Sequence, residues 1–228
     1  MYYNCLMIDD EEPLAQATCE YFNMFSMKSA YVTNTKDCLE FLKNNNTDII
    51  LLDINLHNES GFELCKILRK TINVPILFIS ARQSDEDILI ALNIGGDDYI
   101  HKPYSLSVLL AKVKAVLKRC QSVNQNQAVL IIKTLKIDNN AKKVFKDGKD
   151  IKLKTMEYNL LFYLIQNKNK VISKKELFDK VWGDSFFSDG TLNVHIRRIR
   201  EKLEDDPNNP RLIKTVWGTG YLFETDEN

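Results

Sequence analysis

Four short apolar runs in the first half of the chain each end at a polar or charged side chain. The runs occupy residues 5–8, 48–52, 74–79 and 97–101, and helical patterns of apolar residues lie between them. Continuous runs rich in Ile and Leu that alternate with helices are typical of strands buried in a parallel sheet. The pattern therefore predicts an α/β fold for this half of the chain.

The side chains at the ends of these runs predict a phosphoryl-acceptor site. They are Asp9, Asp10, Asp53, Ser80 and Lys102, and the carboxyl ends of parallel strands open into one crevice. A carboxylate such as Asp53 can form an acyl phosphate, and neighbouring carboxylates favour Mg²⁺, which neutralises phosphoryl charge. Lys102 offers a point charge to one phosphoryl oxygen, and Ser80 offers a hydrogen-bond donor to another.

The second half of the chain begins with short alternating stretches and continues with helical patterns. Residues 129–132, 135–138, 143–146 and 151–153 predict a small antiparallel sheet with a hairpin turn at Asp147 and Gly148. The predicted helices open at Thr155, run from Ser173 to Trp182, and run from near Asp189 to about Leu203. Strands at 212–216 and 221–223 flank a turn at 217–220, so a hairpin wing is predicted after the helices.

The third of these helices has one apolar face and one face rich in arginine. At 100° per residue the inward positions are Leu192, Ile196, Ile199 and Leu203. Val194, Arg197 and Arg198 are expected on the outward face, with Asn193 and Arg200 on its flank. Arg, Asn and a methyl surface are groups that read base edges in a major groove, although a solvated basic helix face would have a similar composition.

Charge and cysteine content indicate the expected partners and cellular compartment of the protein. The formal net charge is zero, but residues 1–122 carry 12 Lys and Arg against 16 Asp and Glu, and the remainder carries 19 against 15. An acidic first half joined to a basic nucleic-acid reader is expected from this split. The five cysteines have no metal-like spacing, and no targeting segment or long apolar run is evident. A cytoplasmic protein with free thiols and no membrane partner is therefore expected.

Eight segments together resemble the OmpR/PhoB family of two-component response regulators. In the first half they are MIDDEE, DIILLDINL, ISA and GGDDYIHKPY; in the second half they are LKTMEYNLLFYL, KVISKKELFDKVWG, TLNVHIRRIREKL and RLIKTVWGTGYLF. The resemblance implies a flavodoxin-like receiver with a five-stranded doubly wound parallel sheet at 1–119. A linker at 120–128 and an α+β winged helix-turn-helix domain at 129–226 would follow.

The resemblance also implies roles for individual receiver residues. Asp53 would be the phosphoacceptor of a sensor histidine kinase, and Ser80 and Lys102 would bind the phosphoryl group. Asp10, Asp53 and the carbonyl of Asn55 would ligate Mg²⁺, with Asp9 helping through water. Tyr99 would be an aromatic switch coupled to Ser80, and the Lys102–Pro103 bond would be cis. Such a receiver only phosphorylates and dephosphorylates itself, so we do not class the chain as an enzyme.

In the second domain the resemblance implies contacts to double-stranded promoter DNA. Base contacts would come from Asn193, Val194 and Arg198. Phosphate contacts would come from Thr191, His195, Arg197, Arg200, Thr215, Tyr221 and Trp182. Many relatives place arginine at the wing tip where this chain has Trp217, so Trp217 would pack either on a sugar or on the domain. Phe186 and Phe187 would contact either RNA polymerase or their own domain.

Receivers of this family form homodimers, and the expected interface is unusually apolar. Ile88 and Val108 stand where relatives commonly have an ion pair, so we predict a patch of Ile88, Leu92, Val108, Leu109 and Val113. Asp97 would pair with Lys112 in the same interface. The alternative is that Ile88 is simply a core residue.

Two other classes of protein share part of this pattern. Aspartyl phosphatases of the haloacid dehalogenase type also combine Asp, Ser, Lys and Mg²⁺, but they carry the nucleophile on the first strand. A regulator that dimerises without phosphate is the second alternative, kept open by Ile88 and Val108. His57, next to the acceptor loop, is expected to be an exposed imidazole without a catalytic role.

Overall fold

The computed structural model describes residues 1–57, 59–82, 84–121, 129–132, 134–182 and 189–225. The chain divides into two compact units, Met1–Leu117 and Lys118–Asn228. The predicted linker at 120–128 falls mostly outside the described residues. Among the described residues, no helix combines the length and apolar character needed to cross a membrane.

The first unit is a parallel sheet with helices between successive strands. In chain order its elements are β1 (Tyr2–Ile8), α1 (Glu12–Met24), β2 (Ser29–Val32), α2 (Thr35–Asn44), β3 (Asn46–Asp53), β4 (Asn55–Leu56), β5 (Glu59–Ser60), α3 (Gly61–Leu68), β6 (Ile76–Ser80), α4 (Asp85–Ile94), β7 (Asp98–His101) and α5 (Leu106–Gln121). The five parallel strands have the order β2-β1-β3-β6-β7, which confirms the predicted doubly wound sheet. The short strands β4 and β5 pair antiparallel beside the carboxyl end of β3.

The apolar runs form the core of this sheet. Leu6 pairs with Ile50 and Ile50 with Ile76 across the three central strands, and all three side chains are buried. Close packing continues at Gly96, where an added Cβ would lie 2.7 Å from the ring of Phe78. Because side chains are closely packed around the sheet, the polar residues at its carboxyl edge are held by a rigid base.

The second unit contains two small antiparallel sheets and three helices. Its described elements are β8 (Val129–Ile132), β9 (Leu135–Asp138), β10 (Lys143–Lys146), β11 (Lys149–Asp150), α6 (Thr155–Gln166), β12 (Val171–Ser173), α7 (Lys174–Leu177), a π-helical turn (Phe178–Trp182), α8 (Asp189–Leu203), β13 (Ile213–Val216) and β14 (Gly220–Phe223). The sheet orders are β11-β10-β9-β8 and β12-β14-β13. These elements confirm the predicted winged helix.

One predicted strand of this unit is wrong. The fourth strand occupies Lys149–Asp150 rather than residues 151–153. Lys152 has a φ of 49°, a left-handed conformation that does not continue a strand. The amide of Ile151 still donates to the Val144 carbonyl at 3.0 Å.

The middle helix of the unit ends at Trp182 as predicted, but it is less regular than predicted. It opens as expected at Ser173, whose hydroxyl accepts from the Glu176 amide at 3.1 Å. After the four residues of α7 the chain continues as a π-helical turn that ends at Trp182. This turn carries Trp182, fully buried, to the side of α8, where its ring centroid lies 5.2 Å from that of His195.

Candidate phosphoacceptor site and DNA-contacting surface

Three carboxylates meet at the carboxyl ends of β1 and β3. Asp9 and Asp53 are buried and Asp10 is half-buried, and one oxygen of each lies within 4.8 Å of the other two. The Glu11 amide donates to Asp9 Oδ1 at 3.0 Å, and the Asn55 amide donates to Asp53 Oδ1 at 2.9 Å. Asp9 and Asp53 are therefore each held by a backbone amide of their own loop.

Lys102 joins this cluster from the end of β7. Its Nζ lies 2.6 Å from Asp53 Oδ2, 2.9 Å from Asp9 Oδ2 and 2.9 Å from Glu11 Oε1. The Lys102–Pro103 peptide bond is cis, as expected. The sequence pattern did not single out Glu11, because its role depends on how far the Lys102 side chain reaches across the crevice.

Burial and Lys102 have opposite effects on the pKa values of Asp9 and Asp53. Burial raises the pKa of both Asp53 and Asp9, and the hydrogen bonds from Lys102 partly offset that rise. Burial disfavours the charged form of Lys102, but the hydrogen bonds to Asp53, Asp9 and Glu11 outweigh it and raise the lysine pKa. Lys102 thus stays protonated and leaves excess negative charge in the cluster. Three hard oxygen donors with unbalanced charge fit a Mg²⁺ ion.

Ser80 and Tyr99 are linked through one backbone residue, Arg82. The buried Ser80 hydroxyl accepts from the Arg82 amide at 3.2 Å, and the Tyr99 hydroxyl donates to the Arg82 carbonyl at 2.8 Å. The Arg82 guanidinium reaches back to Asn55 Oδ1 at 3.0 Å. Arg82 was not predicted as a site residue, and it ties the acceptor loop to the loop after β6.

His57 is exposed, as predicted, but it bonds to a residue of the site. Its side chain is 73% exposed, and Nδ1 lies 2.6 Å from Asp10 Oδ2. The His57 amide donates to the same oxygen at 3.0 Å, with φ at 51°. One Asp10 oxygen is therefore covered by two groups of a single loop residue.

On α8 the residues predicted to pack inward do so, but the predicted outward face is partly wrong. Leu192, Ile196, Ile199 and Leu203 are buried. Thr191, Val194 and His195, which were expected to contact DNA, are buried as well. Trp182 packs against His195, so the helix is also covered at that position. Because Thr191, Val194 and His195 are buried, they do not form part of the exposed surface of the helix. Trp182 is itself enclosed.

Two polar residues of α8, Asn193 and Arg200, are hydrogen-bonded to the wing. Asn193 is exposed and its Oδ1 accepts from the Tyr221 hydroxyl at 2.7 Å. Arg200 donates to the Ile213 carbonyl at 2.7 Å and to Thr215 Oγ1 at 2.9 Å. Arg197 is exposed and pairs with Glu201 at 2.8 Å. At the tip of the wing Trp217 is 89% exposed, so it does not pack on its own domain.

Known proteins match both units of the chain. The model for the response regulator receiver domain covers residues 5–114, and the model for the C-terminal domain of transcriptional regulatory proteins covers residues 148–223. The uncharacterized transcriptional regulatory protein YrkP of Bacillus subtilis is 38% identical over 98% of this chain and 99% of its own. The response regulator SaeR of Staphylococcus aureus is 36% identical over 96% of this chain and 97% of its own.

A solved structure gives the same assignment. The OmpR/PhoB homolog DrrB of Thermotoga maritima is 31% identical, with a TM-score of 0.52 over 98% of this chain and 100% of its own. The chain belongs to the OmpR/PhoB family of response regulators. It is a two-component regulator of transcription that combines a receiver with a DNA-binding domain. The haloacid dehalogenase alternative is wrong, because residues 5–114 match the response regulator receiver domain.

The predicted apolar dimer patch of this response regulator is largely interior. Leu92, Leu109 and Val113 are buried, Ile88 packs partly against the core, and only Val108 is well exposed, at 63%. Within the chain, Asp97 is buried against Arg69 at 2.6 Å and Lys112 lies 3.0 Å from Asp98; a pair between Asp97 and Lys112 in a dimer stays a prediction. Leu92, Leu109 and Val113 are core residues because α4 and α5 each pack one apolar face onto the sheet. Leu89 and Ile90 on α4 are the exposed apolar residues that the prediction missed.

Proposed function

We propose that this response regulator is phosphorylated on Asp53 by a partner sensor histidine kinase in the cytoplasm. The observation that carries the proposal is the position of the Asp53 carboxylate. It lies 2.6 Å from the Lys102 ammonium and within 4.8 Å of the carboxylates of Asp9 and Asp10. A nucleophile, a cation and two further acids in one crevice are the groups that phosphoryl transfer to a carboxylate requires.

The chain's own residues supply position and charge. An Asp53 oxygen attacks the phosphorus of a phosphohistidine, a P–O bond forms as the P–N bond breaks, and the leaving imidazole takes up a proton. Lys102 moves its hydrogen bond from the carboxylate to a phosphoryl oxygen. Asp10, Asp53 and the Asn55 carbonyl would hold Mg²⁺, with Asp9 acting through water, and the ion would neutralise phosphoryl charge.

The signal would leave the site through Ser80. A charged phosphoryl oxygen is a strong hydrogen-bond acceptor, so the Ser80 hydroxyl would turn to donate to it. This movement of Oγ would break the hydrogen bond that Ser80 accepts from the Arg82 amide. Tyr99 is bonded to the carbonyl of the same Arg82. A shift of Arg82 would therefore change the position of Tyr99. Tyr99 lies on β7, and we propose that the receivers dimerise through the surface formed by α4, β7 and α5.

We further propose that the dimer reads a tandem promoter site with the exposed side of α8. Asn193, Arg197 and Arg198 are the side chains on that side with hydrogen-bonding groups that suit bases and phosphates. Thr191, Val194 and His195 are left out because they are buried. Trp217 at the wing tip would pack on a sugar, since an indole cannot act as a guanidinium in a minor groove. A contact of Phe186 and Phe187 with RNA polymerase remains an expectation, outside the described residues.

The test is the mass in solution with and without beryllofluoride and Mg²⁺, for the native chain and for Asp53→Ala. Beryllofluoride on the acceptor mimics the acyl phosphate. We expect a monomer that becomes a dimer only when Asp53 is present, and Asp37→Ala, which removes an exposed carboxylate outside the site, should respond like the native chain. A dimer under every condition would overturn phosphate-dependent assembly and favour association through Val108, Leu89 and Ile90.

A further inference from the structure

Tyr221 connects the wing to the exposed side of α8. Its hydroxyl donates to Asn193 Oδ1 at 2.7 Å, between residues 28 positions apart in the chain. The tyrosine is 5% exposed, and β14, which carries it, pairs with β12 on one side and β13 on the other. The hydroxyl is therefore held by a strand that is itself fixed on both edges.

A second contact braces the same corner. The Arg200 side chain leaves α8 and donates to the Ile213 carbonyl and to Thr215 Oγ1. Its guanidinium carbon lies 5.9 Å from the centroid of the Tyr221 ring. Thr215 and Tyr221 face each other across the β13–β14 ladder. Three residues for which family resemblance implies phosphate contacts are thus bonded within the domain, around one exposed asparagine.

An asparagine amide needs such support to read a base. The torsion that turns its terminal amide is broad, so the oxygen and the NH₂ group exchange places at low cost when nothing holds them. A hydroxyl that donates to Oδ1 fixes the oxygen side of the amide. The NH₂ group is then left to donate to an acceptor in the major groove, such as a purine N7.

We propose that Tyr221 is a positioning residue that sets the amide of Asn193 for base reading. This inference rests on the proposed function, in which Asn193 contacts a base. Family resemblance implies that Tyr221 contacts a phosphate, and such a contact adds affinity for every DNA sequence alike. The role proposed here adds specificity instead, because the oriented Asn193 amide bonds to some bases and not to others.

The experiment uses the full-length protein and a duplex enriched from a random pool by the native chain. Dissociation constants are measured for that duplex and for variants with each base pair replaced in turn. The proteins are native, Asn193→Ala, Tyr221→Phe, the double variant, and Tyr158→Phe as a control that loses a buried hydroxyl bonded to Asn139. Tyr221→Phe keeps the ring, and unfolding followed by the fluorescence of buried Trp182 verifies the fold of each variant.

Asn193→Ala and Tyr221→Phe should lose discrimination at the same base pair, by about threefold to tenfold, which is the range of one hydrogen bond. The double variant should be no worse than Asn193→Ala, because the two residues act as one unit. Tyr158→Phe should discriminate like the native chain.

Two results would overturn the inference without touching base reading by Asn193. One is Tyr221→Phe weakening every duplex equally and adding to the effect of Asn193→Ala; the other is Tyr221→Phe leaving the discrimination intact while Asn193→Ala abolishes it. If Asn193→Ala itself changes no base preference, the proposed base contact is wrong and the positioning role is wrong with it.

Discussion

The interior of the DNA-binding unit contains an ion pair whose removal should be costly. Glu157 on α6 is fully buried, and its Oε2 lies 2.6 Å from the Nζ of Lys202 on α8. The same Glu157 oxygen accepts from the Lys154 amide at 3.1 Å, and Lys202 also donates to the Lys152 carbonyl at 2.9 Å. We predict that Lys202→Met strongly destabilises this unit, because a buried carboxylate loses its counter-charge.

The magnitude follows from the burial of the two partners. Removal of one member of a buried pair costs about 3–5 kcal/mol, and the Lys202 side chain is 30% exposed, so the lower end applies. A loss of about 3 kcal/mol is a large part of the 5–15 kcal/mol that holds a domain together. With a urea slope of about 2 kcal/mol/M, the unfolding midpoint should fall by about 1.5 M.

Tryptophan fluorescence follows this unit selectively in the full-length protein. Both tryptophans of the chain, Trp182 and Trp217, belong to the second unit. Trp217 is already exposed, so a change in emission on unfolding reports the transfer of buried Trp182 to water. Glu201→Gln is the matched control, because Glu201 pairs with Arg197 on the surface, where such a pair contributes less than about 1 kcal/mol.

The pH dependence gives a second and independent measurement. Burial works to raise the pKa of Glu157, but the attraction and hydrogen bond of Lys202 and the interactions with Lys154 together outweigh burial, and the net effect is a lowered pKa. A carboxylate with a lowered folded pKa stabilises above its unfolded value of 4.5 and loses that contribution as pH falls through the folded pKa. In Lys202→Met the carboxylate is buried without a cation and gains from protonation. The difference between the two proteins should therefore begin to shrink above pH 4.5, where Glu157 of the variant takes up a proton, and should shrink further below pH 4.5, where the native protein loses its contribution. A constant difference from pH 7 to pH 4, or a midpoint equal to that of Glu201→Gln, would refute the reasoning.

Three further substitutions test the receiver. In Gly61→Ala the new Cβ would lie 1.9 Å from the Asp53 carbonyl oxygen. The substitution should therefore reduce the stability of the receiver by about 1–3 kcal/mol, measured by thermal unfolding. It should also abolish the dimerisation induced by beryllofluoride, measured as the mass in solution. His57→Ala should raise the affinity for Mg²⁺ by about twofold to tenfold in calorimetric titration, because a side-chain bond that competes for Asp10 is lost. Unchanged affinity would show that the histidine yields without cost. Arg69→Met should lower receiver stability by about 3–5 kcal/mol, measured by circular dichroism, because Asp97 would be left buried without its 2.6 Å partner; a small loss would mean that the aspartate finds another partner.

The sheet and the acceptor residues could be predicted because their signals are local. A run such as residues 48–52 is apolar at every position, and its end is marked by Asp53 itself. The order of parallel strands then places successive strand ends in one crevice without further information. Two-residue strands such as Lys149–Asp150 gave no comparable signal, since so short a pattern has no period.

Pairing partners far apart in the chain could not be predicted in the same way. Asp97 and Lys112 are close in sequence and of opposite charge, but within the chain Asp97 pairs with Arg69, the residue that follows α3. The choice depends on burial: Arg69 also donates to the carbonyls of Gly95 and Val74, and a guanidinium can serve all these acceptors at once whereas an ammonium is better left partly hydrated.

The burial of Val194 shows where a helical wheel loses information. A wheel divides a helix into one inward and one outward face, which holds for a helix packed on a single surface. At His195 the α8 helix also packs against Trp182, and that contact depends on the π-helical turn, which no periodicity in the sequence marks. A valine between Asn193 and His195 is explained more simply by burial than by an exposed methyl surface, because burying it gains about 1.5–3 kcal/mol. The exposed side of the helix is consequently narrower than the sequence indicated, and the orientation of the few polar side chains that remain on it, Asn193 above all, carries more of the specificity.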